Sequence, residues 1–438
     1  MIEATHRLVP VVVLSSAFLV IGVLRESSLL VLGLSLFSMI VALRGYAVLE
    51  CNALSRLKTT WSVKHGFEGE NIVAEVLIEN KTWIPIITAE LVVNYSPHLK
   101  LVRGSRAGII IIPPKTSVSY KLVFRGRVGH HYIGPLKVIV RDPLGLYKSA
   151  ELLLAEQIFV EIKPRASETV IRKLMVHTRS TGLSKVKTPG VGVEFYDTRD
   201  YVPGDELRSI DWKKYAYTGK LVVKEYEKET YQVVLFLVDA TPYMTSGPFG
   251  ETPFEHTARV VSSMVLYLAK RGDLVGLILY DHRKVVSTGK LYRGRRAYHE
   301  VLRALSKTEY SLGEYNEQQR GIMLRTAFNE LLKMLPREKN MIFIFTSSWK
   351  SNMETLVEIV KKLSYMNSLV YVVVPIIAAY EVKGVNPWSR AIYRLKTLER
   401  LREDLEFASK LRRLGARVIA VGPELIPQVV VSIIESMS

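Results

Sequence analysis

Cysteine is nearly absent. Cys51 is the single one in 438 residues, which excludes an intramolecular disulfide and fits a reducing compartment. No Cys/His cluster suited to zinc occurs either. Acid is in short supply: 42 Asp and Glu stand against 60 Lys and Arg, a formal net charge of +18. That balance favours an anionic neighbour, whether phospholipid, nucleic acid or an acidic protein. No G-x-G-x-x-G and no P-loop is present, so the motifs give nucleotide binding no support. Hydrophobic residues are plentiful at 48%, so burial is not limiting, and the length calls for two or three domains.

Two stretches lack charge altogether. Residues 8–24 read "LVPVVVLSSAFLVIGVL" and residues 27–43 read "SSLLVLGLSLFSMIVAL". As helices each is roughly 25 Å long, close to a bilayer core. Arg25 and Glu26 leave so short a joint that the helices must run antiparallel. The reading is a transmembrane hairpin over 1–50. A signal peptide and a buried soluble hairpin are the alternatives; the first has a shorter apolar core and no second span behind it. Arg7, Arg44, Arg56 and Lys58 flank the tail side, and Arg25 alone marks the joint. The positive-inside rule therefore expects a multi-pass protein of the cell membrane with its soluble domains in the cytoplasm. The basic surplus would then sit beside an anionic leaflet, so no nucleic-acid partner is expected. Its bases are dispersed through helical segments such as "RLKTLERLREDLEFASKLRRLG", which usually present a solvated or partner face.

From 58 to 165 the pattern shifts to short β-branched runs, among them "NIVAEVLIEN", "ITAELVVNY", "AGIIIIPP", "VSYKLVFRG" and "LKVIVRD". Gly, Pro, Asn and Asp bound them, which predicts a β-sandwich. His130 and His131 are adjacent and so face opposite ways on a strand, which makes them poor joint metal ligands; the pair reads as loop. Residues 231–438 alternate helix and strand, beginning with the apolar run "YQVVLFLVDA". That order specifies a doubly wound, Rossmann-like α/β domain of mostly parallel strands. Ligands of such sheets bind beyond the strands' carboxyl ends, which puts Asp239, Asp281, Thr346 and Gly422 near one rim.

Asp239 and Thr241, in "VDATPYM", resemble the start of D-x-S-x-S, the metal-ion-dependent adhesion motif of von Willebrand factor type A domains. The resemblance implies a Mg²⁺ held by oxygen ligands. Two departures stand against it. Tyr243 occupies the second hydroxyl position, and "FTSS" follows Thr346 with Ser347 rather than a carboxylate. No cofactor is expected; Mg²⁺ on Asp239 and Thr241 is the exception to test. The plainer alternative is that Asp239 caps a helix start or bonds to loop amides.

Between the two domains, 166–230 forms a linker that ends in "GVEFYDTRDYVPGDELRSIDWKKYAYTGKLVVKEYEKE" (192–229). Pro203-Gly204 predicts a turn and Asp205 a helix cap. Arg208, Asp211 and Trp212 have spacings that share a helix face. "LVVKEYEKE" reads as an edge strand running into the α/β core. The segment holds neither Cys nor His, so no nucleophile–base pair lies here. A salt-bridged joint or a protein-binding surface is the better reading.

This stretch resembles the signature of the domain of unknown function 58 family. The matching residues are Glu194, Phe195, Arg199, Tyr201, Pro203, Gly204, Asp205, Arg208, Ile210, Asp211, Trp212, Lys224 and Glu225; "RGRVGHHYIGPLKVIVRDPLGLY" (125–147) resembles the family's upstream segment. The resemblance implies a membrane-anchored protein with a type A-like domain and no established catalysis, encoded beside MoxR-type AAA ATPases. The expectation is thus a non-enzymatic adaptor for such an ATPase, binding through Glu194, Arg199, Tyr201, Gly204, Asp205, Arg208, Asp211 and Trp212. A Mg²⁺-dependent ligand-binding module and a carboxylate-based hydrolase are the alternatives.

Overall fold

The computed structural model describes residues 2–167, 189–227, 231–310, 317–337, 340–348, 353–366, 368–376, 390–413, 416–421 and 429. The chain divides into two compact units, Met1–Lys163 and Pro164–Ser438.

The first unit begins with strand β1 (Ile2–Ala4), then helices α1 (Leu8–Leu24) and α2 (Ser27–Leu54). Among the described residues, α2 is the one helix long and apolar enough to cross a membrane; α1 is apolar but shorter. The two helices pack directly on each other. Small residues make that approach possible: the Ser15 hydroxyl donates to the Gly33 carbonyl at 3.0 Å. A Cβ on Gly22 would meet the Leu30 backbone at 2.3 Å. Away from this seam the helices expose Val, Leu, Ile and Phe side chains.

Eleven further strands follow: β2 (Lys58–Val63), β3 (Gly66–Phe67), β4 (Ile72–Glu79), β5 (Ile86–Tyr95), β6 (Leu99–Arg103), β7 (Ala107–Ile112), β8 (Ser117–Gly126), β9 (Gly129–Val140), β10 (Tyr147–Ser149), β11 (Leu152–Ala155) and β12 (Ile158–Lys163). One sheet has the order β2-β4-β8-β6; the other is β3-β12-β9-β5-β7, with β11 beside β9. Alternation along β4, buried at Ile72, Ala74, Val76 and Ile78, turns one face inward. Those side chains share a single core with Leu91, Val93, Leu136 and Val138 of the other sheet. His130 and His131 lie on β9 rather than in a loop. His131 points into the interior, while His130 stacks on Phe159 at 4.8 Å between ring centroids.

The end of α2 belongs to this β body. Ala53 and Leu54 enter its core. The Ile87 amide donates to the buried Glu50 carboxylate at 2.9 Å, and the Tyr46 hydroxyl donates to the Pro85 carbonyl at 3.1 Å. The residues before α1 are held there as well. β1 pairs antiparallel with β10, and the Thr5 hydroxyl donates to the Gly145 carbonyl at 2.6 Å.

In the second unit, β13 (Pro189–Asp200) and β14 (Val222–Glu227) form a two-stranded ribbon joined through a 3₁₀ turn (Leu207–Ser209) and helix α3 (Trp212–Thr218). The main sheet has β15 (Val233–Asp239), β16 (Leu274–Tyr280), β17 (Val285–Ser287), β18 (Tyr292–Arg293), β19 (Asn340–Phe345), β20 (Ser368–Pro375) and β21 (Arg417–Val421). Its order is β17-β16-β15-β19-β20-β21, with β18 beside β16. Neighbours from β16 to β21 are parallel; β17 and β18 run antiparallel to β16. The helices are α4 (Pro242–Thr245), α5 (Pro253–Arg271), α6 (Gly294–Leu305), α7 (Glu317–Met334), α8 (Met353–Tyr365) and α9 (Arg390–Arg413).

β15 is buried at all seven positions, as a strand covered on both faces must be. Leu235 and Leu237 meet the apolar sides of α7, α8 and α9; Val234, Phe236 and Val238 take the opposite face by alternation. A Thr252/Glu255 capping box starts α5, and Gly272 in the left-handed region ends it. β14 pairs with β13 in its own sheet and not with the main one. That corrects the edge-strand expectation: Lys224 on one face of β14 and Glu225 on the other carry charge that a sheet buried on both faces does not accept. Gly422 and the expected terminal helix lie outside the described residues.

Candidate functional site

β15 delivers Asp239 to the carboxyl end of the main sheet, where both it and Thr241 are completely buried. The Thr241 amide donates to Asp239 Oδ1 at 2.8 Å, so the carboxylate does bond to its own loop. At the end of β19, the Thr346 hydroxyl donates to Oδ2 at 3.0 Å. The remaining partner comes from the first turn of α7. Arg320, with 0% exposure, donates from its guanidinium to Asp239 Oδ2 at 2.5 Å and to the Ser347 hydroxyl at 2.6 Å. The same group lies over the Tyr243 ring, 5.4 Å from its centroid. Tyr280, the residue opposite Asp239 on β16, is also fully buried. Burial, and next the charge of Asp239, pushes its ionisation well above the usual phenol range.

The described residues do not fit a Mg²⁺ in this arrangement. The ion demands several oxygens at about 2.1 Å, whereas the Asp239 carboxylate is already paired with a guanidinium. Tyr243 serves as the lid over that guanidinium, not as a hydroxyl ligand. Among the described residues no group of three or more His, Cys, Asp or Glu is arranged to hold a metal. Asp281, expected on the same rim, folds its own turn: its Oδ1 accepts from the amides of Arg283 and Lys284 at 2.6 and 2.8 Å. Arg320 was missed by sequence reasoning because it lies 81 residues from Asp239. The one available signal was a deficit, a buried carboxylate whose motif partners were missing.

The second cluster is the ribbon and its helix. Arg199 on β13 donates to Asp205 through both terminal nitrogens, at 2.6 and 2.8 Å, and to Glu225 on β14 at 2.9 Å. The Val202 amide also donates to Asp205 at 2.9 Å. The hydrogen bonds from Arg199, and next that from Val202, hold the Asp205 carboxyl down at about 2. Asp205 therefore ties the Pro203-Gly204 turn to the ribbon instead of capping a helix. Gly204 makes the turn with φ of 115°, which other residues rarely adopt. The cap is Asp211, whose Oδ1 accepts from the Lys213 and Lys214 amides at 3.1 and 3.2 Å.

Arg208 lies in the 3₁₀ turn beside Glu206 and is largely exposed, so it does not share a helix face with Asp211 and Trp212. The Tyr201 amide donates to the Leu221 carbonyl at 3.0 Å, closing the ribbon's mouth. Glu194 lies on β13, and its side chain is not among those described. The expected residues thus form two groups: Arg199, Tyr201, Gly204 and Asp205 build the turn, while Asp211 and Trp212 start α3.

Beside exposed charged residues such as Arg208 and Lys213, this cluster shows large apolar side chains to solvent. Leu207 is 69% exposed, Trp212 57% and Tyr217 82%. Trp212 packs edge-on against Tyr215, 6.2 Å between centroids. A helix of seven residues with none buried does not form for its own packing. It is held at its start by Asp211 and at its end by Gly219 in the left-handed region.

The model of the family described as "Protein of unknown function DUF58" matches residues 197–372. Over that stretch the chain resembles DUF58. The DUF58 match begins inside the ribbon and ends in β20, so it takes in both clusters. The "Uncharacterized protein YeaD" of Bacillus subtilis (strain 168) is 25% identical over 207 residues, 46% of this chain and 49% of the relative. The match thus spans about half the length of each. Among solved structures, the crystal structure of the SpRpn10 VWA domain aligns at 12% identity with a TM-score of 0.27, covering 44% of this chain and 89% of that one.

Proposed function

We propose that the chain is a non-enzymatic, membrane-anchored adaptor that docks a protein partner on the 3₁₀ turn and α3, and that a MoxR-type AAA ATPase is that partner. The observation behind this reading is the exposure of Leu207, Trp212 and Tyr217 beside the ion-paired ribbon. Exposed aromatic anchors on a preorganised base are what protein interfaces use. The choice of ATPase rests on the DUF58 resemblance. The absence of a nucleophile–base pair in the segment argues against a hydrolase, and the guanidinium on Asp239 against a Mg²⁺-bridged ligand.

The anchor in this proposal is α1 and α2 as two spans, with both units in the cytoplasm. β1 before α1 and the end of α2 are bound to the same β body, which supports a chain that leaves and returns on one side. Arg7, Arg44, Arg56 and Lys58 favour the cytoplasmic side.

Capture of partners from solubilised membranes tests the adaptor role. The full chain should retain a MoxR-type ATPase with or without a chelator. Trp212→Ala with Tyr217→Ala should weaken capture at least tenfold, as the loss of hot-spot residues does, while leaving the melting temperature unchanged. Equal capture by wild type and variant, or no ATPase captured at all, overturns it.

A further inference from the structure

Arg320 is an unusual burial. A guanidinium rarely enters a protein interior unless its charge is matched and its donors are engaged. Here 0% of its side chain and 0% of Asp239's is exposed. One terminal nitrogen bridges Asp239 Oδ2 and Ser347 Oγ. The group thus gathers the ends of β15 and β19 with the start of α7, and Tyr243 covers it with its π face. The other side chains around this carboxylate bear hydroxyls: Thr346 donates to it, Thr241 follows it in the loop, and the buried Tyr280 lies opposite it on β16. The buried Thr241 Oγ1 has no hydrogen-bond partner among the described residues. Asp239, Thr241, Thr346 and Ser347 are an all-oxygen set, the chemistry a hard divalent cation prefers, yet a side-chain cation fills it.

We propose that Arg320 is a built-in cation that takes the place of a divalent ion at the rim, latching α7 to the sheet, and that a cation site lies latent beneath it. The rim is accordingly independent of divalent metal in the intact protein and becomes cation-responsive once the guanidinium is removed. This inference does not depend on whether α3 docks a partner.

The experiment uses the full chain in detergent and reads thermal unfolding and Mg²⁺ calorimetry. Wild type should show no heat with Mg²⁺, and neither Mg²⁺ nor EDTA should move its melting temperature. Arg320→Ala should melt roughly 10 °C lower, as expected for stranding one partner of a buried pair. Millimolar guanidinium chloride should restore most of that shift, and Mg²⁺ part of it. Arg320→Met combined with Asp239→Asn should melt higher than Arg320→Met alone, because no charge is then stranded. Should Arg320→Ala fail to fold, the double variant still decides: a folded double supports the latch, and an unfolded one refutes it. A Mg²⁺ titration of wild type with heat that vanishes in Asp239→Ala refutes the proposal. So does an Arg320→Ala that responds to neither guanidinium nor Mg²⁺.

Discussion

His131 occupies a place where a charge would be costly. Its Nε2 donates to the Arg127 carbonyl at 2.7 Å, its Nδ1 lies 3.4 Å from the Ser96 hydroxyl, and the ring is 1% exposed. Burial lowers its pKa to about 4, against the effect of the carbonyl bond, and the neighbouring His98, His130 and Arg127 add to the lowering. An unfolded histidine titrates near 6.5. Between those values the unfolded chain binds the extra proton, so stability rises with pH there. His131's contribution is complete above pH 6.5 and is lost as pH falls towards about 4, on the order of 3 kcal/mol in all. Thermal midpoints of the first unit should therefore drop across this window, and His131→Gln should flatten the drop. A midpoint equally steep in the variant would assign the acid sensitivity elsewhere. None of this was legible beforehand, because "GHHY" read as loop and burial depends on the strands laid against β9. At the rim, Asp239 was legible from its place at the end of an apolar run. Arg320 was not, since the start of a helix patterned for the core gives no hint of one arginine turned inward. The cap expected of Asp205 falls to Asp211 for a similar reason: Pro-Gly-Asp fits a helix cap and a turn tie equally well, and Arg199 decides between them.

Among the elements, the crossing of α1 and α2 is set by their smallest residues. A methyl on Gly22 would press into the Leu30 backbone, and one on Gly33 would lie 2.8 Å from Leu19, whereas Gly45 on the same helix has open space around it. Gly22→Ala should destabilise the pair by about 1–3 kcal/mol through overpacking. Gly45→Ala should be neutral or stabilise by up to about 1 kcal/mol, because alanine is the better helix former. Detergent melts of the two variants compare them directly, and equal midpoints would mean that the seam is not close-packed. The apolar helices and the alternation of strand and helix after residue 231 were plain in the sequence, because each period is carried by many residues. Short strands such as β3 and β11 were not, since two to four residues carry no period. β14 was misread as an edge strand of the main sheet because an alternating strand pattern does not name its neighbour.

Across the whole molecule, the proposed topology makes a directional prediction. With Cys51 replaced by Ala, Glu26→Cys should react with an impermeant maleimide added outside intact cells, and Ser55→Cys should react only after the cells are opened. Labelling in the opposite order would invert the topology. β1 adds a matter of timing. Ile2 pairs with Ser149 of β10, 147 residues further along, and strands β2 to β9 are translated in between. A ribosome emits about 5–20 residues per second, so β1 waits roughly 7–30 s before its mate exists. Its docking therefore comes late in building the first unit, with only β11 and β12 still to be added after its mate.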